Sequence, residues 1–484
     1  MVQANVRSRS SATSIVLPLA LAQFIASYAA SNMNVAISTI ADDIGTTVAG
    51  IQTAITLFTL TMAALMIPGS KLTDIWGRKF CFTLGLVVYG AGALLASLAQ
   101  GLGLLVVSYS LLEGIGSALM IPPIYILITV CFTDIRSRAA YFGLVSGAAG
   151  VGAAAGPLIG GLITSTISWR ASFVLQFLVV ASIIVMARRI EEPARGEAPR
   201  FDLGGAVLSA LGLFLVVYGV LQSATYGWLA SRVDFTVAGR VIIPEGGISP
   251  VWLFVLAGAL VLGWCMLHLR ARERAGQPPL FSLSLFRSRT SNLGLVTQNV
   301  QWLVLQGSFF VISVFLQQIR GYTAIQTGLL LTPATAGVLI ASAAAGRMAS
   351  RRAQATLIRA GFVATTAGML LLLALVREHS GVWSFIPGLL LMGLGVGVML
   401  TASVNVVQSS FGDDDQGEIS GVSRSVSNLG SSLGTALAGS VLVGAARPGG
   451  GPFAIAMGVL AAFSLIGLLA AVLIRKQPVA VAGP

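Results

Sequence analysis

The sequence predicts an all-helical integral membrane protein with about fourteen transmembrane helices, and three observations carry that expectation. Of 484 residues, 56% are hydrophobic and only 10% are charged, with a mean hydropathy of +0.89. Such a chain has too little polar surface to cover a soluble globule. Apolar runs of about 20 residues, the length that crosses a bilayer, recur from end to end. The basic residues alternate with these runs. Of 29 Lys and Arg, about 22 fall in the tail and the loops of one side, among them Lys71, Arg78, Lys79, Arg136, Arg138, Arg188, Arg270, Arg347 and Arg351, and about six fall on the other. That is the positive-inside pattern of a protein with both termini in the cytoplasm, in a bacterial-type plasma membrane.

The first run, 14–38, follows Arg7 and Arg9 as a signal peptide would, but its length of about 25 residues exceeds a signal h-region. It therefore reads as an uncleaved first helix. Runs at 49–69, 80–99, 102–130, 139–164 and 170–188 complete a first block of six. In the fifth, Gly152, Gly156, Gly160 and Gly161 leave a helix face without side chains, on which another helix can pack backbone to backbone. Pro157 between them lacks a backbone donor and bends the helix. A bent, closely packed helix suits a gate better than an anchor.

A charged, proline-containing stretch from Arg188 to Asp202 separates this block from runs at 203–222 and 251–269. The connection between those two, residues 223–250, is the longest external loop and carries Tyr226, Trp228, Arg232, Asp234 and Glu245. It reads as a solvated loop, with a lid or an interfacial segment as alternatives. A second charged stretch, Arg270 to Arg289, precedes runs at 291–317, 323–346, 357–376, 383–408, 418–444 and 453–474. The organisation is thus an N-terminal six-helix half (1–190), a linker with two inserted helices (191–290) and a C-terminal six-helix half (291–484). Ser70-Lys71-Leu72-Thr73-Asp74 after the second helix finds a counterpart in Gly346-Arg347-Met348-Ala349-Ser350 after the second helix of the last block, as an internal repeat requires.

Several function classes fall away. The net charge of +12 follows topology rather than forming a nucleic-acid surface. Cys81, Cys131 and Cys265 are scattered, without metal or redox spacing, so no disulfide, metal or cofactor is expected. Gly393, Gly395 and Gly397 lie inside a spanning run, where they permit packing, and no phosphate loop is present. With no ATP site and no catalytic constellation the chain reads as a non-enzyme, and uphill transport would draw on an ion gradient.

Inside the membrane, Glu113 stands out. A carboxylate in a spanning helix must pair, face water or hold a proton, and such acids are functional candidates by default. Burial favours the protonated acid and water or a cation favours the carboxylate, so changing access could load and unload a proton. A structural, hydrogen-bonded glutamate is the alternative. Gln23, Ser27, Ser31 and Asn34 share one face of the first helix at steps of four, four and three; Asn299, Trp302 and Gln306 do so in the ninth, and Thr401, Asn405 and Gln408 in the twelfth. Tyr109 joins Glu113 in the fourth. Such stripes are either interhelical glue or a cavity lining. Amides, hydroxyls and aromatics suit a neutral or amphipathic molecule, or one with a single positive charge, rather than a polyanion.

Gly152, Gly156, Pro157, Gly160 and Gly161 resemble the antiporter motif of the major facilitator superfamily, and Leu72, Asp74, Gly77, Arg78 and Lys79 fit most of its loop motif between helices 2 and 3. With fourteen helices, the chain is similar to the drug:proton antiporter branch. Trp169-Arg170, Phe201-Asp202-Leu203-Gly204, Pro279-Leu280, Arg320-Gly321-Tyr322 and Asn428-Leu429-Gly430 agree, so the resemblance covers nearly the whole chain. It implies a major facilitator fold whose cavity is lined by helices 1, 4, 9 and 12. It also implies a latch in which the loop motif with Asp74, Gly77 and Arg78 engages the start of helix 13 and Asp134 after helix 4; the alternative is that Arg78 and Lys79 only enforce topology. Arg424 in helix 13 is a further latch candidate, or a tie between that helix and its loop. Here Ser70 replaces the family's glycine and Ile75 its basic residue. The family's acid in helix 1 and its arginines in helices 4 and 13 are replaced by Ala29, Ser110 and Ser427, so the usual coupling pair does not carry over.

The combined expectation is a monomeric exporter of small amphipathic molecules that works by alternating access in exchange for protons. An uncoupled facilitator, a lipid or metabolite transporter, and a non-transporting receptor on the same fold are the alternatives. The partners expected are a small-molecule substrate, protons and the lipid bilayer, with no nucleic acid and no ATP.

Overall fold

The computed structural model describes residues 2–132, 135–190, 201–237, 240–349, 353–377, 379–412, 416–442 and 450–474. The described chain is built from fourteen long helices. The first six are α1 (Val2–Asn32), α2 (Val48–Trp76), α3 (Arg78–Ser97), α4 (Leu102–Leu105 continuing through a π turn, Val106–Glu113, into Gly114–Cys131), α5 (Ile135–Thr166) and α6 (Trp169–Ala187). Then come α7 (Leu203–Tyr226) and α8 (Pro250–Arg274). The last six are α9 (Arg289–Val314, extended by a π turn, Phe315–Ile319), α10 (Ala324–Ala349), α11 (Gln354–Leu375), α12 (Ile386–Gln408), α13 (Gln416–Leu442) and α14 (Gly450–Leu473).

Thirteen of these regions are long and apolar enough to cross a membrane among the described residues, and α13 is the one left out. Its serines explain the omission. α13 lies between α2 and α9. The Ser432 hydroxyl donates to the Thr56 carbonyl of α2 (3.0 Å) and Ser425 to that of Ala63, while Ser427 and Ser431 bond carbonyls one turn back. On its other side, Gly430 and Gly434 receive the backbone of α9 at Asn299 and Leu303. A helix packed on both sides by protein needs small side chains for close approach more than it needs an apolar surface.

Two long seams join the first six helices to the last six, α2 against α13 and α5 against α10. α7 and α8 pack on each other, and α7 lies against α2 and α13. Only 22% of the apolar window of α8 is buried, which leaves this helix to face lipid. The helix ends are capped locally: Thr47 accepts from Gly50 N, Ser168 from Arg170 N and Asp202 from Gly205 N. Gly77 closes α2 and opens α3 at φ 102°, a conformation that glycine adopts without strain, and this sets the sharp joint between them.

Beside the π turn that extends α9, three departures from a plain row of helices stand out. α1 ends at Asn32, and a 3-10 turn (Met33–Val35) and a short helix (Ile37–Asp43) follow, so Asn34 sits in a turn. α4 carries its π turn where the sequence suggested an uninterrupted helix. The 223–250 connection forms a two-stranded antiparallel hairpin, β1 (Phe235–Val237) and β2 (Arg240–Ile243), rather than an irregular loop.

Candidate functional site

The glycine motif places α5 between α1 and α10. A Cβ on Gly152 would strike the Phe24 carbonyl, one on Gly156 the Ser31 hydroxyl, and one on Gly160 the Asn32 side chain. These glycines are what let α1 approach. Gly161 faces the other way, where its Cβ would stand 2.7 Å from the Ala324 carbonyl oxygen of α10, and Gly328 of α10 in turn packs on the Pro157 carbonyl.

Beside this contact lies a buried polar chain that the sequence reading passed over. Asn32 Nδ2 donates to Ser172 Oγ (2.9 Å), which shares a hydrogen with the Tyr28 hydroxyl (2.6 Å). One turn along α6, Gln176 Oε1 accepts from the Tyr89 hydroxyl at 2.6 Å. Gln176 and Ser172, four apart on a helix that carries few other polar groups, were the available signal.

Glu113 borders this chain. It is fully buried, its side chain packs against Gly92 of α3, and the Tyr89 hydroxyl is a polar neighbour. Tyr89 commits its proton to Gln176, so it has none to give Glu113, though its oxygen can still accept one. Tyr109 also turns inward: its ring stacks on Phe58 (4.6 Å) and its hydroxyl donates to the Ala29 carbonyl (3.4 Å). Ser110 donates to the Ala54 carbonyl of α2 at 2.8 Å. Tyr109 and Glu113, candidates for the translocation path or for interhelical glue, turn here toward neighbouring helices, Tyr109 to Phe58 of α2 and Glu113 to Gly92 of α3. The π turn between Val106 and Glu113 shifts the register from which an α-helical face is read.

Of the α1 stripe, Gln23 and Asn34 are buried, with Gln23 Oε1 and both Asn34 side-chain polar atoms unpaired, and Ser27 is half-buried. Ser31 leaves the stripe for Gly156. Gln306 crosses from α9 to donate to the Ala30 carbonyl of α1 at 3.2 Å, so these two stripes meet. Asn299 instead ties α9 to the Val426 carbonyl of α13 (2.9 Å). Trp302, Thr401 and Asn405 are half-buried.

Both ends of the seams carry closures. At the basic end Lys71 Nζ pairs with Glu418 Oε1 at 2.6 Å, and Glu418 Oε2 accepts from Ser282 N at 2.9 Å. Arg424 donates to the Tyr125 hydroxyl and lies 4.7 Å from that ring's centroid. The resemblance pointed to Asp74 as the group engaging helix 13. The structure puts Lys71 in that position, three residues earlier, with Asp74 exposed. Asp134 lies outside the described residues. At the opposite end Gln317 accepts from Ser38 N (3.1 Å) and donates to the Asn34 carbonyl (3.3 Å), and Ile325 N donates to Ser165 Oγ (3.0 Å).

Two acidic clamps hold loops to helix ends. Asp43 pairs with Arg170 and accepts from Trp169 Nε1 (3.0 Å), and the Arg170 hydrogen bond holds its carboxyl below the usual range. Asp202 accepts from Gly205 N (3.0 Å), His268 Nε2 (2.9 Å) and Leu280 N (3.1 Å), with Arg272 Nε at 3.6 Å. Burial pushes its pKa up, but these donors and Arg272 outweigh burial and hold it below the ordinary value.

A family model described as Major Facilitator Superfamily matches residues 19–435 and again 294–483. The chain is 29% identical over 422 residues to a "Probable actinorhodin transporter" of Streptomyces coelicolor, covering 85% of this chain and 69% of that protein. It is 27% identical over 394 residues to "Multidrug resistance protein Stp" of Mycobacterium tuberculosis, covering 81% and 69%. It is 28% identical over 417 residues to "Puromycin resistance protein pur8" of Streptomyces alboniger, covering 85% and 78%.

Proposed function

Because the chain belongs to the major facilitator superfamily, matched from residue 19 to residue 483, we propose that it exports small amphipathic, antibiotic-like molecules by alternating access in exchange for protons. Relatives named for drug resistance and antibiotic transport support the export reading. So does the amide, hydroxyl and aromatic character of Gln23, Ser27, Asn34, Trp302, Gln306, Thr401 and Asn405. The chain works as a monomer in the plasma membrane with both termini cytoplasmic, its two six-helix halves moving about the α2/α13 and α5/α10 seams. Lys71, Glu418, Arg424 and Tyr125 latch the cytoplasmic end.

The observation that carries proton coupling is Glu113, wholly buried in a spanning helix with the Tyr89 hydroxyl, already committed to Gln176, as its polar neighbour. A carboxylate charge buried there, away from water and cations, is costly, so the arrangement suits a carboxyl that carries a proton. Release requires water or a donor to reach it, and that requires the packing of α3, α4 and α6 around Tyr89 and Gln176 to loosen. Substrate movement that opens this packing would discharge the proton.

The test is reconstitution in vesicles with a trapped pH indicator, comparing wild type with Glu113→Gln across a panel of lipophilic cations and neutral compounds. Substrate-driven proton movement that disappears in the variant, with substrate binding retained, supports the mechanism. Substrate flux without protons in the wild type would replace it with facilitated diffusion. Proton movement that is equal in both proteins would remove Glu113 from the coupling.

A further inference from the structure

The hairpin joining α7 to α8 carries aliphatic side chains that nothing among the described residues covers. Leu229 and Ile248 are 82% and 76% exposed, and Val237, Val241 and Ile242 are 50%, 53% and 55% exposed. In water, a two-stranded edge with this much aliphatic surface is an aggregation hazard. Its charged residues, Arg232, Asp234, Arg240 and Glu245, sum to zero, so no electrostatic partner is indicated.

Its position supplies the occupant. Phe235 at the start of β1 packs edge-on against Tyr226, the last residue of α7 (5.5 Å), and against Phe254 of α8 (6.0 Å). Phe254 lies one turn inside α8, about 6 Å along its axis from Pro250 at 1.5 Å per residue. The hairpin therefore lies alongside the helix ends rather than standing above them. Trp252 Nε1 donates to the Trp228 carbonyl (2.8 Å), which ties the start of the hairpin to α8 and holds the exposed Trp252 indole where tryptophan marks a membrane–water boundary. Beyond it along α8, Leu253, Leu256, Leu260 and Trp264 are between 52% and 76% exposed. Through the Phe235–Phe254 contact the hairpin is joined to the helix that carries this lipid-facing stripe.

We infer that the 227–249 hairpin is an interfacial anchor, seated with Val241 and Ile242 in the headgroup region of the leaflet on its own side of the membrane. Its function is to fix the depth of the inserted helix pair, and through α7 that of the α2/α13 seam. The attachment is apolar and should be insensitive to salt, unlike binding by a basic patch.

The experiment labels single cysteines at Val241 and Ile242 with an environment-sensitive fluorophore, in a protein whose Cys81, Cys131 and Cys265 have been changed to alanine. The protein is reconstituted in phosphatidylcholine vesicles. Shallow spin-labelled lipid should quench both probes about two-fold or more, in low and high salt alike, and aqueous iodide should leave them nearly unchanged. A probe at Glu245 should show the reverse pattern. Quenching of the 241 and 242 probes by iodide as strongly as the 245 probe would overturn the anchor. Resistance to both quenchers would also overturn it, because protein rather than lipid would then cover the hairpin. Adding Val241→Asp should shift the probe at 242 toward iodide, and failure to do so would show that apolar contact does not hold the hairpin down.

Discussion

Gly161→Ala tests whether the glycine motif sets the distance between two moving parts. The new Cβ would stand 2.7 Å from the Ala324 carbonyl oxygen and 3.3 Å from the Ile325 Cα, while ordinary contact begins near 3.4 Å. Backbone must therefore give by about 0.7 Å (3.4 − 2.7), and neither atom belongs to a side chain that can swing aside. Overpacking of this kind costs about 1–3 kcal/mol. Because the clash exists only while α5 and α10 are apposed, the cost falls on this arrangement and shifts the equilibrium toward a separated one by about 5-fold to 150-fold. Thr164, 8% exposed and one turn nearer the Ser165–Ile325 closure, reports the change when replaced by cysteine. Its maleimide labelling rate should rise at least about 5-fold in Gly161→Ala, the lower end of that range. Gly150→Ala on the same helix, where a Cβ meets nothing within 4 Å, should leave it unchanged. Equal labelling in wild type and Gly161→Ala would refute the claim that this seam opens. An equal rise in both variants would show only that the helix tolerates no alanine.

At the basic end, Glu418→Gln breaks the Lys71 pair and weakens the hold on Ser282 N. A partly exposed ion pair contributes about 1 kcal/mol or less, so labelling of Ser70→Cys, buried beside Gly421, should rise no more than several-fold. Asp43 is an acid whose folded pKa lies below its ordinary 3.8. Its pair with Arg170 therefore contributes stability above that value and loses it as pH falls through the depressed one. The melting advantage of wild type over Asp43→Asn should be constant from about pH 7 to pH 5, begin to fall only below about pH 4, the ordinary carboxylate range, and disappear once pH has passed the depressed value; an advantage that grows on acidification would contradict the assignment. Asp202→Ala strips the cap of α7 and leaves Leu280 N and His268 without their acceptor. The expected loss is about 2–4 kcal/mol, read as a lower melting temperature, and an unchanged midpoint would argue against the clamp.

Helix existence was legible in the sequence because a spanning helix declares itself by length and hydropathy, and the positive-inside pattern orders the loops. The glycine spacing was legible for the same reason: what α5 packs against can be read from where side chains are missing. Side-chain direction was less so. Ser31 satisfies a four-residue step with Ser27 yet turns to Gly156, since α1 presents two neighbouring polar faces and only packing decides between them. Glu113 was identifiable as an outlier, but its surroundings were not, because nothing in the sequence announces a π turn. Lys71 and Glu418 lie 347 residues apart, and no local pattern could have joined them.

The π turn in α4 also bears on how this helix can change over generations. A π turn holds one residue more than the α-helical path around it, and each residue advances an α-helix by about 100°. Loss of a single codon within 106–112 would let the ladder close as ordinary α-helix and leave the turns on either side facing as they do now, whereas the same loss in a regular stretch of α4 would rotate every residue beyond it by about 100°. Glu113, packed against Gly92 of α3, would keep its bearing through such a deletion. The extra residue is slack in the helix, and this stretch tolerates a one-residue indel that the rest of α4 does not.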